Sequence, residues 1–196
     1  MITAACSQLS DSAVNDWIDV LKHNKKMKAV LGYHGSSPSA NDANDGLSDH
    51  YIINDFLERA NKQSIYAAWI HANTYYSEMT RANGALLVKK GYQNQKLSVI
   101  LSNDDEADGN TIFLYKMYPF KQSITVEKII YQSARAAAVR MGISTSNFEV
   151  FEVSREVYSE YGNYLHEENV EYVFKFGQNS PLISVNCETQ ETHIIT

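Results

Sequence analysis

The chain has 196 residues, 44% of them hydrophobic and 20% charged, with a formal charge of −6. That length and balance suit one globular domain, residues 1–196, with a full core, and exclude a disordered chain. The negative balance disfavours broad binding to duplex nucleic acid, and no apolar run approaches membrane-spanning length, so no membrane partner is expected.

In chain order, Met1 to Cys6 has neither a basic leader nor a long apolar stretch. With only Cys6 and Cys187 as thiols, a cytoplasmic protein is expected, or one exported by a signal-free route. Ser10 or Asp11 can cap a helix over about 10–23, whose apolar positions Ala13, Val14, Trp17, Ile18 and Leu21 follow helical spacing. Lys22, Lys25 and Lys26 then read as a solvated helix end that complements the dipole, in preference to a phosphate patch. Val30 to Ser37 is a short apolar run ending in His34, Gly35, Ser36 and Ser37. It predicts a buried strand that delivers His34 to its open end, where Gly35 lets a ligand approach the backbone. Pro38 to Asp49, rich in Ser, Asn, Asp and Gly, predicts a loop or lid that folds toward a ligand cleft.

Tyr51 to Lys62 predicts a helix, Ser64 to Ile70 a short strand, and Asn73 to Arg81 a short helix. Tyr66 and a tyrosine of the Tyr75-Tyr76 pair can sandwich a flat ring. Ala85–Lys89, Leu97–Leu101 and Thr111–Tyr118 read as strands. Val126 to Met141 reads as a helix with Ile129, Ile130, Ser133, Ala136, Ala137 and Arg140 on one packable face, stopped by Gly142. Phe148–Val153, Val170–Phe176 and Leu182–Val185 read as strands. In the second of these, Val170, Tyr172 and Phe174 face one way and Glu171, Val173 and Lys175 the other. The fold class is mixed α+β with a largely strand-built core.

Three stretches carry candidate chemistry. His34 ends its strand beside a glycine and two serines. Glu171 sits between apolar neighbours, where a carboxylate is costly to bury unless it is paired, although an outward strand carboxylate is the plainer reading. Tyr66 and Thr74 precede Tyr75 and Tyr76. The six histidines are scattered, without metal-ligand spacing, so no metal is expected. His34-Gly35-Ser36-Ser37 also has a hydrolase reading, but no Gly-x-Ser-x-Gly elbow follows.

Taken in order, Tyr33-His34-Gly35-Ser36, Ile65-Tyr66-Ala67-Ala68, Asn83-Gly84-Ala85-Leu86-Leu87-Val88 and Val170-Glu171-Tyr172 resemble the ADP-ribosyltransferases of the diphtheria-toxin and poly(ADP-ribose) polymerase group. That group carries a histidine–tyrosine–glutamate signature. The resemblance runs over about residues 29–176 as ordered short motifs. It departs in one place: the family's second tyrosine would fall on Ser77, with Tyr75 and Tyr76 just before it. A second branch of the family uses an arginine and a Ser-Thr-Ser strand; Ser144-Thr145-Ser146 is present, but no strand-borne arginine precedes it at a useful distance.

The resemblance implies a split, twisted fold with NAD, as substrate, in a cleft between two small sheets. It implies that His34 and Gly35, beside Ser36, bind NAD, that Tyr66 and Tyr76 (or Tyr75) stack on nicotinamide, and that Thr74 bonds the carboxamide. Glu171 would bond the nicotinamide ribose and stabilise the oxocarbenium-like transition state. The activity implied is ADP-ribose transfer to a protein acceptor, with a secreted bacterial effector or toxin domain as one setting and an endogenous enzyme as another. The alternative is a member without catalysis, or an unrelated globular interaction module; the presence of Glu171 favours activity. On the enzymatic reading His34, Tyr66 and Glu171 line one cleft, and Glu171 on the opposite surface from His34 would remove it.

Overall fold

A computed structural model describes residues 1–2, 7–37, 49–74, 83–102, 111–119, 126–177 and 179–195. The elements are α1 (Val14–His23), β1 (Ala29–Tyr33), α2 (Asp49–Ala60), α3 (Ile65–Thr74), β2 (Gly84–Lys89), a 3-10 turn (Tyr92–Asn94), α4 (Leu97–Ser102), β3 (Ile112–Pro119), α5 (Lys128–Arg140), β4 (Glu149–Tyr158), β5 (Tyr164–Lys175), β6 (Leu182–Asn186) and β7 (Thr192–Ile195). All seven strands lie in one sheet in chain order, each antiparallel to the next. The chain is mixed α+β, as expected. The expected division into two small sheets is not seen among the described residues, because the ladder runs without a break from β1 to β7.

Side chains alternate between the two faces of a strand, and the alternation sorts the core. Leu31, Tyr33, Leu86, Val88, Phe113, Tyr115, Met117, Val153 and Val173 point to one face and pack under α2 and α3. Val30, Leu87 and Leu114 point to the other and meet Ile18 and Leu21 of α1. Farther along that second face, Phe174, Ile183 and Val185 meet Ile130, Ala134, Ala137 and Ala138 of α5. Ile129, Ala136 and Arg140, read from the sequence as part of α5's packing face, are instead exposed. Gly142 stops α5 in the left-handed region at φ 72°, where a side chain would be strained.

Three local readings are corrected. Ser64 to Ile70 is not a strand but the start of α3. Ser64 caps it by accepting the Ala67 amide on Oγ at 3.1 Å. Ala68, Trp69, Ile70, Ala72 and Asn73 are all buried, so α3 is covered nearly all round and shows no amphipathic stripe; a short apolar run does not distinguish strand from helix. Of the helix expected over Asn73–Arg81, Asn73 and Thr74 are the end of this helix, and residues 75–82 lie outside the described ones. Leu97 to Leu101 is also helical: Leu97 and Ile100 lean on the core while Val99 and Leu101 face solvent. Neither Ser10 nor Asp11 caps α1 through its side chain. The Ser10 carbonyl accepts the Ala13 and Val14 amides, and Asp11 instead reaches Lys116 at 2.7 Å. β4 and β5 run longer than their apolar centres suggested, and β7 had no sequence signal strong enough to read.

Trp69 joins these layers. Its indole N–H donates to the Ala85 carbonyl on β2 at 2.9 Å, and its ring lies 5.8 Å from Tyr33 and 5.5 Å from Phe56. Trp69→Ala is expected to cost about 3–5 kcal/mol, and Trp69→Phe roughly 1–3 kcal/mol as the Ala85 carbonyl loses a donor. Urea unfolding of both variants measures this.

Candidate functional site

Glu171 sits in the second half of β5, just past an irregularity. Val153 of β4 faces Glu171 while Ser154 faces Asn169, so Val170 is an extra residue, a β-bulge. The bulge corrects the expected facing: Val170 packs with the α2–α3 core alongside Val173, not with Tyr172 and Phe174. It also delivers Glu171 to the α3 side, 8% exposed.

There Tyr66, in the first turn of α3, donates its hydroxyl to Glu171 Oε1 at 2.5 Å. Ser184 of β6 donates to Oε2. The Tyr66 ring lies 4.6 Å from Tyr115 of β3, and Arg155 of β4 stacks 4.8 Å over Phe113 while donating to Glu168 at 2.6 Å and 3.0 Å. Burial holds the Glu171 carboxyl above its ordinary value, although the Ser184 and Tyr66 bonds and the nearby His193 oppose this. The Tyr66 hydroxyl is enclosed and pushed well up, first by burial and then by the Glu171 charge. A buried carboxyl raised in this way, held between two hydroxyls, can take up or release a proton or face a developing positive charge. Sequence reasoning missed Ser184; a lone serine inside the apolar run Leu182–Val185 was the available signal.

His34 is not part of this group. Its Nε2 lies 2.9 Å from the Met117 carbonyl and its ring 4.8 Å from Tyr118, on the α1 side of the sheet. The charges around it are Lys116, Asp11 and Glu156, and burial and Lys116 lower its pKa. β1 and β5 are four inter-strand steps apart, about 19 Å. The expected cleft shared by His34, Tyr66 and Glu171 does not form: Tyr66 meets Glu171, and His34 lies on the other face.

Gly35 accepts the Ser7 amide on its carbonyl at 2.7 Å, and an added Cβ there would lie 2.7 Å from the Asn83 side chain. A larger residue there would need the Asn83 side chain to shift. Ser36 is exposed and accepts the Asn83 amide on its backbone carbonyl at 3.1 Å. The Thr74 hydroxyl turns back into its own helix, donating to the Ile70 carbonyl at 2.7 Å. Tyr75, Tyr76 and the loop from Pro38, apart from its last residue Asp49, lie outside the described residues.

The sheet's other face holds a second buried polar group that sequence reasoning did not find. Lys116 donates to Asp11 at 2.7 Å and to Glu156, and Tyr158 also donates to Glu156. Burial would lower the Lys116 pKa, but its bonds to the two carboxylates outweigh this and raise it. Among the described residues no group of three His, Cys, Asp or Glu is placed to hold a metal ion. No family model matches the chain, and the comparisons with curated proteins and with solved structures find no significant match.

The raised Glu171 carboxyl sets a pH dependence. The folded state holds this proton more tightly than the unfolded chain does, so stability falls as pH rises from the ordinary value near 4.5 through the folded one. Glu171→Gln removes the buried charge and keeps the shape. It is expected to raise the urea midpoint relative to the parent chain at neutral pH, and to lose that advantage as the pH falls below the ordinary carboxyl range. Paired unfolding curves across that range measure it.

Proposed function

We propose that the chain transfers ADP-ribose from NAD to a protein acceptor and releases nicotinamide, with Glu171 and Tyr66 as the residues that carry the chemistry. The observation behind this is the meeting of Tyr66 and Glu171, 105 residues apart, in one hydrogen bond. These are two of the three residues that the family resemblance pairs. In this reading the Glu171 carboxylate faces the anomeric carbon as nicotinamide leaves and stabilises the positive charge that develops there. A ribose hydroxyl takes over one of the bonds now made by Tyr66 and Ser184, and the Tyr66 ring offers a face to the departing base. The sequence-based form, with His34, Tyr66 and Glu171 in one cleft, is given up because His34 lies on the other face; the form proposed here rests on Tyr66 and Glu171 alone. An effector acting in a host cytosol and an endogenous enzyme are both compatible settings.

A second reading is an interaction module without catalysis. It is favoured by His34 lying across the sheet from Glu171 and by the Ser7 amide occupying the Gly35 carbonyl.

Nicotinamide release from labelled NAD, with transfer of label to lysate protein, separates the two. On the enzymatic reading Glu171→Gln lowers turnover by roughly 100-fold or more while NAD affinity stays within about threefold, because the lost interaction belongs to the transition state. His34→Ala leaves both unchanged; a loss of NAD affinity on the order of 1 kcal/mol would return His34 to the site. Full activity in the Glu171→Gln chain, or none in the parent chain, supports the second reading.

A further inference from the structure

A cavity of about 420 Å³ opens beside the start of β1, between the first turn of α3 and α4. Its apolar wall includes Leu31, Ile65, Leu97, Ile100 and Leu101, and both charged side chains in its lining are lysines, Lys26 and Lys28. Among the described residues no carboxylate lines it. Lys28 is 4% exposed; its ammonium donates to the Lys25 carbonyl at 3.0 Å and lies 5.3 Å over the Tyr92 ring. Lys89 stands beside it on β2, its amide donating to the Lys28 carbonyl at 3.0 Å and its ammonium to the Asn24 carbonyl at 3.1 Å. Burial lowers the Lys89 pKa, and the Lys28 charge lowers it further. Among the described residues the recess thus carries positive charge on a chain of net charge −6, from Lys26 and Lys28 in its lining, with Lys89 next to Lys28 but outside the lining.

The same recess is apolar on its far side. α4 buries none of its residues, and Leu101 is 76% exposed at the rim. The helix-end reading of Lys22, Lys25 and Lys26 fits Lys22, which pairs with Asp19 at 3.1 Å; Lys26 is exposed and also borders the cavity, as does Lys28, outside that cluster. An apolar wall alone would suit an apolar guest, and lysines alone a free phosphate. The two together select a molecule with an anionic head and an apolar tail. At this volume, the small end of the usual range for ligand pockets, there is room for one chain and not two.

We propose that this cavity binds a free single-chain anionic amphiphile of the fatty-acid class, its carboxylate at Lys26 and Lys28 and its chain along Ile65, Leu97, Ile100 and Leu101. The site is separate from Glu171 and does not depend on the NAD reading. Calorimetric titration of the full chain with dodecanoate, kept below its micelle concentration, tests it. Saturable one-to-one binding is expected, with dodecyltrimethylammonium and butanoate failing to bind. Lys28→Met is expected to weaken dodecanoate about tenfold, as a charge-assisted contact is lost. Lys26→Glu and Leu101→Asp change exposed positions and carry the test if the Lys28 variant does not fold; both should weaken binding several-fold. The proposal is overturned by equal binding of the cationic amphiphile, by dodecanoate binding that neither exposed variant alters, by binding to anionic vesicles alone, or by no binding.

Discussion

Successive side chains of a strand point to opposite faces of its sheet, and in a meander whose sheet order is its chain order this decides which residues can meet. Along one row, Tyr33 pairs with Gly84, Met117 with Val153, and Val153 with Glu171. On β1, the side chain that shares Glu171's face is therefore Tyr33, which packs against Trp69. His34, the next residue, turns to the α1 face. Its imidazole, bonded to the Met117 carbonyl of β3, is held two strands from β5 and on the reversed face.

Within that frame Glu171 couples the fold to its candidate chemistry. Burying a carboxylate is unfavourable unless its oxygens are bonded, and here the bonds come from two neutral hydroxyls on different elements, α3 and β6. The carboxyl thus depends on α3 docking onto the sheet, which the Trp69–Ala85 bond also secures. On the other face Glu156 is met by the Lys116 ammonium, so its charge is balanced directly. The two buried glutamates differ in this respect, and the one held by hydroxyls is the one suited to proton transfer or to facing a developing cation.

The edge of β1 is covered from the N-terminal side. The Leu31 amide donates to the Met1 carbonyl, and the Leu9 and Ser7 amides donate to the Tyr33 and Gly35 carbonyls. Asp11 pins the following turn to Lys116. An exposed strand edge is a template for pairing with another chain, and this segment satisfies it internally. The same cover takes up the Gly35 carbonyl just past the end of β1.

From the sequence alone came the α+β class, six of the seven described strands in their apolar centres, and the helices α1, α2 and α5, because period and punctuation are local properties. It also marked Tyr66 and Glu171 as candidates, since a glutamate among apolar neighbours and an aromatic motif are visible without a fold. The helical state of residues 65–74 and 97–102 was decided by tertiary packing: α3 is buried nearly all round, and α4 is too short and too exposed to show a period. Only the tertiary structure brought Ser184 to Glu171 and sent Asp11 to Lys116. The bulge at Val170 and the strand order are long-range hydrogen-bonding outcomes. They join Tyr66 to Glu171 and leave His34 on the other face because register and face belong to the assembled sheet, not to any one stretch of the chain.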